Sequence, residues 1–132
     1  MGHSFNNGLH TAAKRGLTND VVAVTNLTVA TGQTCTVDDC KAGLIASVTH
    51  TATGVYTFQL SAPYPPKLLY AKVGLTRANA TTVALDCTVR DNSYSATTGQ
   101  FIVDVSNATP AATDPAATNT MMVALNFARY TT

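Results

Sequence analysis

Residues 54–60 read GVYTFQL, and this stretch decides the class of fold. Large apolar side chains recur at every second position, with smaller or polar side chains between them. Successive residues of a strand point to opposite faces of a sheet. The alternation therefore predicts a strand whose buried face carries Tyr56, Phe58 and Leu60. Thr53 and Gly54 stand before this strand as turn residues, so we expect a hairpin with residues 43–51.

The same period of two recurs along the chain from Asp20 onward. The further predicted strands are 21–29, 67–75, 82–90, 100–105 and 120–130. Between them, the three prolines of segment 62–66 predict a stiff loop, because proline removes a ladder donor and fixes φ. Asp38 and Asp39 predict a turn. We therefore predict an all-β, single-domain sandwich or barrel of seven to eight antiparallel strands.

Two segments lack this alternation. Residues 1–19 contain Gly2, Gly8 and Gly16 without a sustained period, which predicts an extended N-terminal arm in front of a domain at 20–132. Residues 106–119 are built mainly from Asn, Ala, Thr and Pro. A long loop of this kind in a small domain is usually functional or mobile.

The composition excludes several classes of partner. Charged residues make up 11% of the chain, where about 25% is typical, and the net charge is +1. No basic stripe for nucleic acid is present, and no apolar run is long enough to cross a membrane. The N-terminus lacks the apolar core of a secretory signal, so we expect a protein made in the cytoplasm. A surface with so few charges favours packing against another protein.

The cysteines and acidic residues do not form a recognisable site. Cys35 and Cys40 are separated by four residues, which fits neither a redox motif nor a zinc knuckle, and Cys87 occupies an apolar strand position. A loop disulfide between Cys35 and Cys40 stays open as an alternative. The chain has no glutamate, and its only adjacent acids, Asp38 and Asp39, would point apart on a strand. We expect no metal and no cofactor.

Catalysis is not expected either. His50 lies at a Thr-rich strand end, and the chain contains no G-x-S-x-G motif for a nucleophilic serine. It also contains no P-loop and no G-x-G-x-x-G phosphate loop. The sequence therefore predicts a protein that is not an enzyme.

Candidate contact residues come from the arm, the long loop, the loop tyrosines and the C-terminal end. Tyrosine rings are amphipathic and anchor protein interfaces, and the two tyrosines in loops are the ones we expect to be exposed. The candidates are Phe5, Leu9, His10, Lys14, Arg15, Leu17, Tyr64, Tyr94, Pro110, Pro115 and Tyr130.

Two stretches carry a resemblance to a known class of proteins. The first is GVYTFQLSAPYP at 54–65, with the pattern G-x-Y-T-x-x-L before a proline-rich loop. The second is DPAATN at 114–119, followed by MMVALNF at 121–127, with the pattern D-P…N-x-x-x-V-x-L-x-F. Over the last two thirds of the chain, the sequence resembles small structural proteins of tailed bacteriophages, which include capsid decoration (cement) proteins.

This resemblance implies a β-sandwich or barrel that binds the outer capsid surface, commonly as a homotrimer. The major capsid protein would be the partner, and the virion, assembled in the host cytoplasm, would be the location. The arm would lie along an adjoining subunit, as segments that order on binding do. Two alternatives remain: a receptor- or glycan-binding module of a phage fibre, and a tail or head-closure component.

Overall fold

The structure, a computed structural model, describes residues 17–39, 43–76, 85–116 and 118–128. These residues form eight strands and no helix. The strands are β1 (Leu17–Thr25), β2 (Thr36–Asp39), β3 (Ile45–Ala52), β4 (Val55–Leu60), β5 (Lys67–Leu75), β6 (Asp86–Val89), β7 (Gln100–Ser106) and β8 (Met121–Ala128).

The strands pair into two four-stranded antiparallel sheets. The first sheet has the order β2-β1-β8-β5, and the second has the order β3-β4-β7-β6. The described part of the chain is therefore a β-sandwich of eight antiparallel strands, which confirms the predicted fold class. Strand β8 lies inside the first sheet, between β1 and β5, and so determines the register of both neighbours.

The core lies between the two sheets and is mainly aliphatic and aromatic. The residues predicted for the buried face of β4 are buried, and they meet the buried faces of β7 and β8. Phe101 links the layers, because its ring stacks on Phe58 at 4.8 Å between centroids and lies 6.3 Å from Phe127. Aromatic pairs at such distances add to the free energy gained by burial of their surface.

The structure corrects the predicted boundary of the arm. Strand β1 begins at Leu17, so Leu17, Thr18 and Asn19 belong to the sheet and not to an arm. These residues pair with Ala128, Phe127 and Asn126 of β8 in register. The backbone ladder to a long inner strand outweighs the local composition that suggested an arm. Residues 1–16 lie outside the described residues.

Two further predictions were wrong. Asp38 and Asp39 lie in strand β2 and not in a turn, and Asp38 pairs with Ala23. β2 is a short edge strand, where charged residues are common. The period of two in residues 67–75 predicts that Leu69 shares one face with Ala71, Val73 and Leu75, but Leu69 is 47% exposed while the other three pack against the core. A register shift between Leu68 and Tyr70 makes Leu69 an additional residue in the ladder and turns it outward.

The β3–β4 hairpin forms at the predicted Thr53-Gly54 tip. Gly54 has a φ of +67°, and an added Cβ would lie 2.5 Å from the carbonyl oxygen of Val105 and 2.7 Å from the amide nitrogen of Thr113. Gly54 therefore allows the tip to pack directly on the chain that leaves β7.

We expect Gly54→Ala to destabilise the domain far more than Gly32→Ala, in chemical denaturation. Gly32 has a φ of +89° with nothing within 4 Å of an added Cβ. The Gly32→Ala variant is therefore destabilised only by backbone strain, which costs about 1–2 kcal/mol. Gly54→Ala adds a backbone clash to the same strain. Equal losses for the two variants would contradict the packing described for the tip.

Candidate protein-binding surface

The first sheet turns one set of side chains away from the core, and we call this set the outer face. Its members alternate in burial with the core residues of β1, β8 and β5. It consists of Val21, Ala23, Thr25, Met122, Ala124, Asn126, Tyr70, Lys72 and Gly74.

The strand register arranges the outer face in rows that cross the sheet. One row runs from Ala23 through Met122 to Gly74, and the next from Val21 through Ala124 to Lys72. Each row therefore places a large side chain beside a small one. Asp38 extends the first row onto β2, because it pairs with Ala23.

The exposed large hydrophobic residues in the described part of the chain all belong to this sheet. They are Val21 (43% exposed), Leu69 (47%), Tyr70 (57%) and Met122 (38%). A contiguous apolar patch on a soluble protein commonly marks an interaction site. The second sheet, by contrast, exposes no large hydrophobic residue within the described residues. The outer face is therefore the better candidate for a protein-binding surface.

A groove of about 390 Å³ lies where the edge of β5 meets the turn after β6. Leu69 and Tyr70 line one wall, and Arg90, Asp91 and Asn92 line the other. Arg90 is held in place by Asp104, whose two carboxylate oxygens accept hydrogen bonds from Nε at 2.8 Å and Nη2 at 2.6 Å. The groove thus combines an exposed aromatic ring with polar side chains of both charges.

The two loop tyrosines are not the exposed pair that the sequence predicted. Both are half-buried. Tyr94 donates a hydrogen bond to the carbonyl oxygen of Pro65, and its ring lies 5.3 Å from Phe127. The Tyr64 ring covers Gly99 so closely that an added Cβ there would overlap it. These rings close one end of the core, and the exposed tyrosine is instead Tyr70.

The remaining candidates divide into three groups. Pro110 is exposed, as a contact residue must be, whereas Pro115 is buried and is therefore corrected to a packing residue. Leu17 begins β1, and its side chain is not among those described. The candidates that lie outside the described residues are Phe5, Leu9, His10, Lys14, Arg15 and Tyr130.

A buried polar cluster joins three loops at the other end of the sandwich. His50 is 4% exposed, and its Nδ1 lies 2.7 Å from the carbonyl oxygen of Val29 while its Nε2 lies 2.9 Å from Oδ1 of Asp114. The same Oδ1 accepts a hydrogen bond of 2.6 Å from the amide of Gly54. Tyr56 stacks on the His50 ring at 5.0 Å and donates to the carbonyl oxygen of Leu27 at 2.6 Å.

The geometry of this cluster suits a structural role better than proton transfer. A backbone carbonyl only accepts, so Nδ1 of His50 carries a hydrogen. Nε2 lies against a carboxylate oxygen that also accepts from the amide of Gly54. Both ring nitrogens are therefore engaged with other parts of the fold, and the ring is 4% exposed. Burial raises the pKa of Tyr56, with a further contribution from Asp114, so its hydroxyl stays protonated.

The described thiols are also unsuited to nucleophilic chemistry. Cys35 and Cys87 are free thiols, and burial raises the pKa of each to about 11. A thiol of such pKa carries little thiolate, which is the reactive form. Cys40 lies outside the described residues, so the disulfide alternative is not tested. Among the described residues, no three histidine, cysteine or acidic side chains cluster as metal ligands, and no helix could span a membrane.

Residues of the two sequence patterns at 54–65 and 114–127 hold the fold together. Gly54, Tyr56 and Asp114 meet in the polar cluster. Asn119 is buried, and its side chain donates to the carbonyl oxygen of Thr76 and accepts from the amide of Ala116 at 2.7 Å. The two patterns therefore include residues that hold the sandwich together. Of the exposed members of the outer face, Met122 lies within the second pattern, whereas Val21 and Tyr70 lie outside both.

Comparisons with protein-family models, with curated proteins and with solved structures give no match for this chain.

We expect Asp114→Ala to lower the free energy of unfolding by about 2–4 kcal/mol, because it leaves the buried His50 ring and Gly54 amide without their acceptor. Asp104→Ala is the matched control, since it breaks an ion pair with Arg90 that lies in contact with water. Thermal and urea unfolding of both variants measure the difference. A loss for Asp114→Ala no larger than that for Asp104→Ala would contradict the structural role of the cluster.

Proposed function

We propose that this protein is a structural component of a virion, a capsid decoration or cement protein. It binds the outer surface of the shell and stabilises contacts between major capsid subunits. The observation that carries the proposal is the outer face, a sheet surface on which Tyr70, Met122 and Val21 are exposed. The major capsid protein is the expected partner, and the surface of the capsid is the expected location.

The chemistry of the surface supports protein binding. The outer face contains one charged residue, Lys72, and the described charges at its edges are Lys67 on β5 and Asp38 on β2. Binding of another protein therefore requires little desolvation of charge, which is the main cost of covering a polar surface. The apolar residues supply the favourable term when they leave water.

The resemblance supplies the virion context. Its patterns include the Gly54, Tyr56 and Asp114 cluster and the entry into β8, and these positions determine a sandwich. They support a fold shared with the small phage structural proteins, while the outer face supports the binding of protein. Together the two arguments favour a role on the capsid over a catalytic role.

The N-terminal segment is the proposed clamp, and deletion of residues 1–16 tests it. Shells that lack the protein are incubated with the purified full chain or with the deletion variant, and binding is measured by co-sedimentation. We expect the full chain to bind in a fixed ratio and the deletion variant to lose binding, while circular dichroism shows an unchanged β-spectrum. The deletion ends at residue 16 because Leu17 is the first residue of β1 and pairs with Ala128 of β8.

Failure of the full chain to bind shells would overturn the decoration function. Undiminished binding of the folded deletion variant would overturn only the role of the arm.

The groove beside Tyr70 favours a second candidate, a glycan-binding module of a phage fibre. An exposed tyrosine ring next to Asp91, Asn92 and Arg90 offers both a stacking surface and hydrogen-bonding groups to a sugar. In this case the protein would bind to a glycan array, and Tyr70→Ala would abolish that binding while Tyr64→Phe would not. Absence of glycan binding by the full chain would eliminate this candidate.

A further inference from the structure

We propose that the outer face binds the outer face of a second copy of this chain, about a twofold axis parallel to β1 and β8. This inference rests on the proposed function, because it names one partner of the surface that carries the proposal. Four features support this pairing: the order of the strands, the rows of the register, the charges at the two edges and the area of the sheet.

The strand order allows every strand of one outer face to lie opposite a strand of the other. Half a turn about an axis that runs in the interface, parallel to the strands and midway between β1 and β8, exchanges the two sides of the sheet. β1 of one copy then faces β8 of the other, and the β2 edge faces the β5 edge. Each row of the register lies opposite the same row of the second copy.

The central rows are complementary in size under this operation. In the first row, Met122 of one copy lies opposite Ala23 of the other, and in the next row Val21 lies opposite Ala124. A large side chain therefore meets a small one at each of these positions. Interdigitation of this kind is how two packed sheets fill the space of about 10 Å between them.

The edges are complementary in charge. β5 presents Lys67 and Lys72, both exposed, and β2 presents Asp38, also exposed. Because β5 faces β2 across the twofold axis, Lys72 of one copy lies close to Asp38 of the other, whereas Lys67 lies further along the same edge. Lys72 is one row from Asp38, about 7 Å along the strand, which a lysine side chain can span. Complementary charges at a rim fix orientation and register more than they add affinity.

The area of the sheet limits the expected affinity of the two copies for each other. Four strands about 4.8 Å apart and about eight residues long give a face of at most about 500 Å² per copy. The pair would bury about 1,000 Å², the lower limit for a specific interface. The expected product is therefore a reversible dimer with a dissociation constant of roughly micromolar order.

A face-to-face pair differs from the homotrimer that the resemblance implies. Identical patches that bind each other across a twofold axis close at two copies, whereas a ring of three needs two different patches on each copy. The outer face has the features of a self-complementary patch. The outer surface of the second sheet stays uncovered in this arrangement and can contact a shell.

Sedimentation velocity of the full chain over a wide concentration range tests the proposal. We expect a monomer at low concentration that converts to a dimer as the concentration rises. Ala124→Arg, which places a charge in the centre of the outer face, should abolish the dimer. Ala46→Arg is the matched control, because Ala46 is an exposed alanine on the second sheet and its variant should dimerise normally. Circular dichroism at low concentration shows that both variants fold.

The charge pairing provides a second test. Asp38→Lys alone and Lys72→Asp alone should each weaken the dimer about tenfold, and the double exchange should restore it, because the attraction is kept with its sign reversed. A monomer at all concentrations, a trimer, or a dimer that Ala124→Arg leaves intact would overturn the proposal. Shell binding by a chain that stays monomeric would overturn only the pairing of copies, while a dimer that does not bind shells would overturn only the decoration function.

Discussion

The rest of the sandwich depends on the contacts that the carboxylate of Asp114 makes with the Gly54 amide and the His50 ring. The chain leaves β7 in the second sheet, crosses over residues 107–120 and enters β8 in the first. Asp114 fixes this crossing, because its Oδ1 accepts from the Gly54 amide at the β3–β4 tip and contacts the buried ring of His50. One oxygen atom thus joins the loop between β7 and β8 to the β3–β4 tip and to His50, and the other ring nitrogen of His50 reaches the carbonyl oxygen of Val29 in the loop after β1.

The position of β8 then determines the surface. As an inner strand, β8 sets the register of β1 on one side and β5 on the other, and so places Met122 beside Ala23 and Ala124 beside Val21. The buried face of the same strand contributes Met121, Val123, Leu125 and Phe127 to the core. The core and the outer face therefore both depend on β8, because its alternating side chains point to one or the other.

The sequence predicts those features that depend on local chemistry. Alternation shows which residues of β4 are buried, and the Thr53-Gly54 tip is predictable because the turn needs a residue that tolerates positive φ. Features that depend on distant residues are not predictable in this way. Tyr94 is half-buried because Phe127 lies beneath it, and the outward turn of Leu69 depends on the ladder with β8. The outer face was missed for the same reason, because Tyr70 and Met122 come to lie on one surface only once β5 and β8 pair.

We propose that this chain acts on the surface of a capsid by binding protein. The most direct measurement is the copy number and accessibility of the protein on purified virions, by quantitative mass spectrometry after labelling of intact particles with a reagent that does not enter the shell. We expect a fixed ratio to the major capsid protein and labelling of the protein in the intact particle. Absence from virions, or a copy number of six or twelve confined to the tail, would contradict it.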